Sequence, residues 1–128
     1  MNKEVILEND FGAAVYDRDN MLIEISFDGR VNVDSMKSIY IKSMSFMETN
    51  PTKGLVNDLS KMTGTFTKLN EWILTDMRST YDLGLRKSAL IVSDDIFTEF
   101  AAQDLQNKAQ LVEFKIFKHS NEALEWVK

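Results

Sequence analysis

Leu55-Val56-Asn57-Asp58-Leu59-Ser60-Lys61-Met62-Thr63-Gly64-Thr65 is the stretch that decides the fold. It opens apolar, as a buried strand does, and closes in residues that shape turns. Asn50-Pro51-Thr52-Lys53-Gly54, with the only proline of the chain, separates it from what precedes. We read Leu55 to Leu59 as a strand and Asn57 to Thr67 as the loop and helix start that follow. In an open α/β sheet such a strand end is where working loops gather.

Upstream, three runs read as strands. Val5-Ile6-Leu7-Glu8 and Phe11 to Tyr16 are separated by Asn9-Asp10. Met21, Ile23, Ile25 and Phe27 alternate with Leu22, Glu24, Ser26 and Asp28 after the turn Asp17-Arg18-Asp19-Asn20. That period of two marks one buried face, and the short turns imply an antiparallel meander. Met36, Ile39, Tyr40, Met44 and Met47 then recur at helical spacing, with Ser43 on the same face and Asp34 or Ser35 as cap.

Downstream, Leu69, Trp72, Ile73 and Met77 define a second helix that closes before Gly84. Ser88-Ala89-Leu90-Ile91-Val92 is continuously apolar, as in a central parallel strand covered on both faces. Ser93-Asp94-Asp95 can cap a third helix, with Phe97, Phe100, Ala101 and Leu105 on its apolar face. Val112, Phe114 and Ile116 alternate as a last strand, and Ser120 to Lys128 closes as a helix that buries Leu124 and Val127 with Ala123. The order βββ-α-β-α-β-α-β-α predicts an α/β domain over 1–128, a mixed sheet flanked by four helices.

Composition narrows the function. The chain has 128 residues, 44% of them hydrophobic, enough for one core without metal or disulfide. It has no Cys, which removes thiolate ligands and a cysteine nucleophile and fits a reducing, cytoplasmic compartment. Fifteen Lys and Arg face twenty Asp and Glu, a net charge of −5 with no basic block. That disfavours nucleic acid and anionic membrane. Met1-Asn2-Lys3-Glu4-Val5 has no apolar core of a signal peptide behind it, and no run is long enough to insert in a membrane.

Side chains for catalysis are few. His119 is the only histidine and has no local nucleophile or orienting group, so we expect no catalytic residue and no metal or cofactor site. Asp94-Asp95 fits helix capping better than acid–base work. Gly64 and Gly84 lack phosphate-loop spacing. The richest polar cluster is Asn57, Asp58, Ser60, Thr63 and Thr65, readable as turn chemistry or as a recognition loop.

Asp58-Leu59-Ser60-Lys61-Met62-Thr63-Gly64 resembles the phosphorylation loop of SpoIIAA-type anti-sigma-factor antagonists, the STAS family. There Asp-Leu-Ser is followed, after two residues, by Asp-Ser-Ser-Gly at a helix start. Phe114-Lys115-Ile116-Phe117 through Glu122-Ala123-Leu124 is similar to the family's last strand and helix. Gly54 to Ser93 is closer still to uncharacterised bacterial SpoIIAA-like proteins of the STAS and CRAL-TRIO-like grouping. The shared features here are Asn57-Asp58, Lys61-Met62, Trp72 and Gly84-Leu85-Arg86-Lys87.

The resemblance implies a SpoIIAA-like fold and a non-catalytic regulatory or protein-interaction domain in bacterial signalling. Where the antagonists carry Asp and the phosphorylated Ser, this chain has Thr63 and Gly64, so the usual phosphoserine is missing. The expected contact surface is Asn57, Asp58, Ser60, Thr63, Gly64 and Thr65, joined by Ser93, Asp94 and Asp95. The alternative is a carrier of a small apolar ligand or lipid, its pocket lined by Phe66, Trp72, Phe97 and Phe100. The partner is then a regulatory protein or that ligand, and association into a homodimer stays open.

Overall fold

The alternation of Ile23, Ile25 and Phe27 becomes the middle of a sheet whose six strands lie side by side in chain order. The computed structural model describes residues 2–128; Met1, part of the N-terminal stretch read above, lies outside them. The strands are β1 (Lys3–Asn9), β2 (Gly12–Asp17), β3 (Leu22–Arg30), β4 (Gly54–Thr63), β5 (Lys87–Ile91) and β6 (Glu113–Phe117). The helices are α1 (Val33–Met47), α2 (Thr67–Asp82), α3 (Ile96–Lys108) and α4 (Ser120–Val127).

The first three strands form the expected antiparallel meander, and β3–β4, β4–β5 and β5–β6 are parallel pairs. A helix connects each parallel pair, because parallel strands need a long crossover. Asp17 shapes the β2–β3 turn by accepting from the backbone N–H and the side-chain amide of Asn20.

Strand alternation sorts the core into two layers. Leu55 and Leu59 of β4 and Leu90 of β5 face α1, α2 and α3 in the larger cluster, with Ile23, Ile39, Leu69 and Leu105. Val56, Ala89 and Ile91 face the other way, against Ala123 and Val127 of α4. β5 is thus buried on both faces between β4 and β6, as its unbroken apolar run implies. Three helices on one face and one on the other leave the meander's second face uncovered by helix. There Val15, Glu24 and Ser26 stand partly or fully exposed.

Three expectations need correction. First, β4 does not end at Leu59. It runs on to Thr63 because β3 continues beside it, pairing Asp28 with Lys61 and Arg30 with Thr63. The Asp58 carboxylate accepts from the Ser60 amide (3.0 Å) and hydroxyl (2.6 Å), and this local turn sits at the bulge that keeps Leu59 and Met62 buried. Second, Asn32 caps α1, its side chain accepting from the Ser35 amide, rather than Asp34 or Ser35.

Third, α3 buries Thr98, Ala101, Ala102 and Leu105, and turns Phe97 and Phe100 outward. The i, i+3, i+4, i+7 spacing of those four residues forms a face of small side chains, which lets α3 sit close to α2 and the sheet. Asn70 of α2 marks that contact by donating to the Ala101 carbonyl at 2.9 Å.

Candidate functional site

The carboxyl ends of β4 and β5 come together through α3. Asp95 caps the helix: its carboxylate accepts from the amides of Phe97 and Thr98, both at 3.0 Å. Hydrogen bonding from Thr98 first, and from Phe97 and Gly64 further, holds the Asp95 carboxyl below the usual carboxylate range. Thr98 in turn donates its hydroxyl to the Gly64 carbonyl at 2.8 Å. The Gly64 carbonyl is therefore engaged by the first turn of α3, and the β4–α2 turn is laced to that helix.

Gly64 can occupy this place because it has no side chain. Its φ of +100° lies in the region that L side chains rarely adopt. A serine here would be strained, whatever space surrounds it.

Around this clasp the polar groups are arranged mainly for structure. The Ser93 hydroxyl accepts from the Asp95 amide at 3.3 Å, and the Ser93 carbonyl accepts from Lys118 Nζ at 3.0 Å. Lys118 Nζ also lies 3.4 Å from Glu99 and 3.9 Å from the exposed Asp94 carboxylate, at the mouth of β6. Thr63 and Thr65 are exposed on either side of Gly64, and Asp58 and Ser60 are bonded to each other as described.

Asn57 does not belong to this surface. It is 1% exposed, accepts from the Tyr40 hydroxyl at 2.7 Å, and donates to Ser88 Oγ and the Ala89 carbonyl, both at 2.8 Å. Strand alternation puts it on the helix-covered face with Leu55 and Leu59, where a lone amide must find internal partners. Burial pushes the Tyr40 phenol well above its usual pKa.

The four aromatic residues expected to line one pocket do not share a cavity. Phe66 is buried where α2 begins, and Phe97 and Phe100 project from the surface at 60% and 64% exposure. Trp72 borders a cavity of about 50 Å³ that reaches down to Tyr40, Asn57 and Ser88 past Met77 and Phe114.

Ile96 completes an apolar patch with Phe97 and Phe100, at 71% exposure. Ile96, Thr98 and Lys118 escaped the reading of the sequence. For Thr98 a signal existed, three residues after a capping aspartate. Ile96-Phe97 beside Phe100 also supplies more bulk than one buried helix face accepts.

Elsewhere, His119 is exposed at the start of α4 and makes no side-chain capping bond. Among the described residues, no group of three or more His, Asp and Glu side chains is placed to hold a metal ion. No helix is long and apolar enough to cross a membrane among them either.

The β-meander followed by three helix-linked parallel strands defines an α/β domain of SpoIIAA-like fold. A similar solved structure is that of an uncharacterised protein of the DUF3478 family with a SpoIIAA-like fold, from Shewanella loihica PV-4. It superposes with a TM-score of 0.55 over 99% of this chain and 93% of that one, at 15% identity. No protein-family model matches this chain, and no curated protein matches it.

Proposed function

We propose that this is a non-catalytic, STAS-like regulatory domain that works through protein contacts in bacterial signalling, in the cytoplasm. The observation that carries the reading is the patch Ile96, Phe97 and Phe100, standing free beside the laced turn of Gly64 and Asp95. Three large apolar side chains exposed within one helical turn and a half have the make-up of an interaction site. The strain that a serine would meet at Gly64 argues that the phosphoserine of the antagonists is not used here.

A carrier of apolar ligands is the weaker reading. Such sites enclose roughly 300 Å³ or more, against the cavity of about 50 Å³ beside Trp72.

The test is in-cell photo-crosslinking from position 103, next to the patch. The parent is expected to trap a discrete partner protein, and Phe97→Asp with Phe100→Asp to lose it while keeping the parent's circular dichroism and melting profile. Equal trapping by that folded double variant would refute the reading.

A further inference from the structure

The outer edge of β6 is an unpaired row of backbone groups with a self-complementary charge pattern. β6 is the last strand of the sheet. The Glu113 amide donates to the Arg86 carbonyl and the Phe117 carbonyl accepts from the Val92 amide, so Glu113, Lys115 and Phe117 turn their peptide groups inward to β5. Phe114 and Ile116 therefore point their N–H and C=O groups away from the sheet. Their side chains lie on the face of the larger core and are only half-buried. The side chains of Glu113 and Lys115 are exposed on the α4 face.

We propose that this edge pairs with the same edge of a second copy, antiparallel about a two-fold axis at Phe114, to make a continuous twelve-stranded sheet. The register follows from parity and charge. Outward-pointing residues must pair with outward-pointing residues, which leaves Phe114 against Phe114, Phe114 against Ile116, Phe114 against Val112, or Ile116 against Ile116, the last setting Lys115 against Phe117. The second arrangement sets Lys115 against Lys115, and the third sets Glu113 against Glu113. Only the first sets Glu113 of each copy directly opposite Lys115 of the other, twice over, in the closely spaced non-hydrogen-bonded positions. It also brings Ile116 over Val112 and the two Phe114 rings together, covering the half-buried side of the larger core.

An edge lysine ordinarily discourages pairing, and here it meets its counter-charge. The opposite edge of the sheet is not equivalent, because β1 is broken by a bulge between Val5 and Leu7. This pairing does not rest on the role proposed for the Ile96 patch.

Sedimentation equilibrium up to about 1 mM protein tests it. The parent is expected to form a weak, concentration-dependent dimer in which the Phe114 and Ile116 amides gain protection from hydrogen exchange. Lys115→Glu and Glu113→Lys each confront two like-charged pairs and are expected to weaken the dimer about tenfold. An equimolar mixture of the two variants restores complementarity and is expected to dimerise as the parent does. A parent that stays monomeric, a dimer indifferent to both substitutions, or a mixture no tighter than the single variants would overturn the proposal.

Discussion

Replacing Tyr40 with Phe removes one oxygen atom and leaves the ring packed near Phe27, whose centroid is 5.6 Å away. What changes is Asn57 Oδ1, which loses the donor now 2.7 Å from it in a buried site. An acceptor stranded in the core costs about 1–3 kcal/mol. The adjoining cavity of about 50 Å³ decides where in that range the cost falls. A water needs roughly 10–15 Å³ and a few polar partners. The cavity wall is almost wholly apolar and offers no such set of partners, so Asn57 Oδ1 stays stranded and the loss is expected at about 2 kcal/mol. Asn57→Leu keeps the volume and deletes all three of the side chain's hydrogen bonds, leaving the Tyr40 hydroxyl and Ser88 Oγ without it. It is expected to cost about 3 kcal/mol. The double variant has no stranded group at position 40, so its loss is expected to be no greater than that of Asn57→Leu alone. Urea unfolding reads this directly: with a slope of about 2 kcal/mol/M, 1 kcal/mol moves the midpoint by about 0.5 M. Losses that simply add, within about 0.4 kcal/mol, would show that Tyr40 and Asn57 are not coupled as the structure has them.

Ile91, on β5 beneath α4, is 3% exposed. Ile91→Asp buries an unpaired carboxylate and is expected to cost on the order of 4 kcal/mol in urea unfolding; a variant that unfolds like the parent would refute the topology. Gly64→Ser is expected to cost about 1–2 kcal/mol from backbone strain at φ +100°, and an unchanged midpoint would show that the turn adapts freely. The carboxyls of Asp17, hydrogen-bonded by the Asn20 side chain, Asp104, bonded by Lys108, and Asp95, bonded by Thr98, all lie below the ordinary value of 3.8. A carboxyl lowered by folding adds stability above its unfolded value and loses it as pH falls through the folded one. Stability is expected to hold down to about pH 4 and then decline; a urea midpoint flat to about pH 2 would contradict this.

The layers of the fold were legible because two periods carry them. Ile23, Ile25 and Phe27 repeat every second residue, and Met36, Ile39, Tyr40, Ser43 and Met47 mark a buried helix face, with Met44 of the same reading only partly buried. Ala89 to Val92 marked a strand covered on both faces, because no alternation survives there, although that strand lies one from the edge of the sheet rather than at its centre. The end of β4 was not legible. Ser60, Lys61 and Thr63 have the composition of a turn, and what keeps them extended is a neighbour, β3 through Arg30, that local sequence does not report. Asn57 was misassigned for the same reason: its polarity suggested a loop, but Tyr40 and Ser88, 17 and 31 residues away, satisfy it inside the core.

The candidate site turns on which face of α3 is buried: Ala101 and Leu105 are buried as their spacing implied, but hydrophobicity alone placed Phe97 and Phe100 with them. Phe97 and Phe100 are the bulkiest residues of the helix, yet the buried stripe is Thr98, Ala101, Ala102 and Leu105. Close helix packing rewards small side chains, and Thr98 is placed there by its bond to Gly64. Once Thr98 faces inward, a rotation of about 100° per residue carries Phe97 away from the core. The same bond that seats α3 thus exposes its aromatic residues. It also occupies the backbone of Gly64, the position that the sequence resemblance sets against the antagonists' phosphorylated serine. On our reading, recognition at this end of the sheet passes from a modified hydroxyl to an apolar helix face, and the Gly64–Thr98 clasp fixes that face in place.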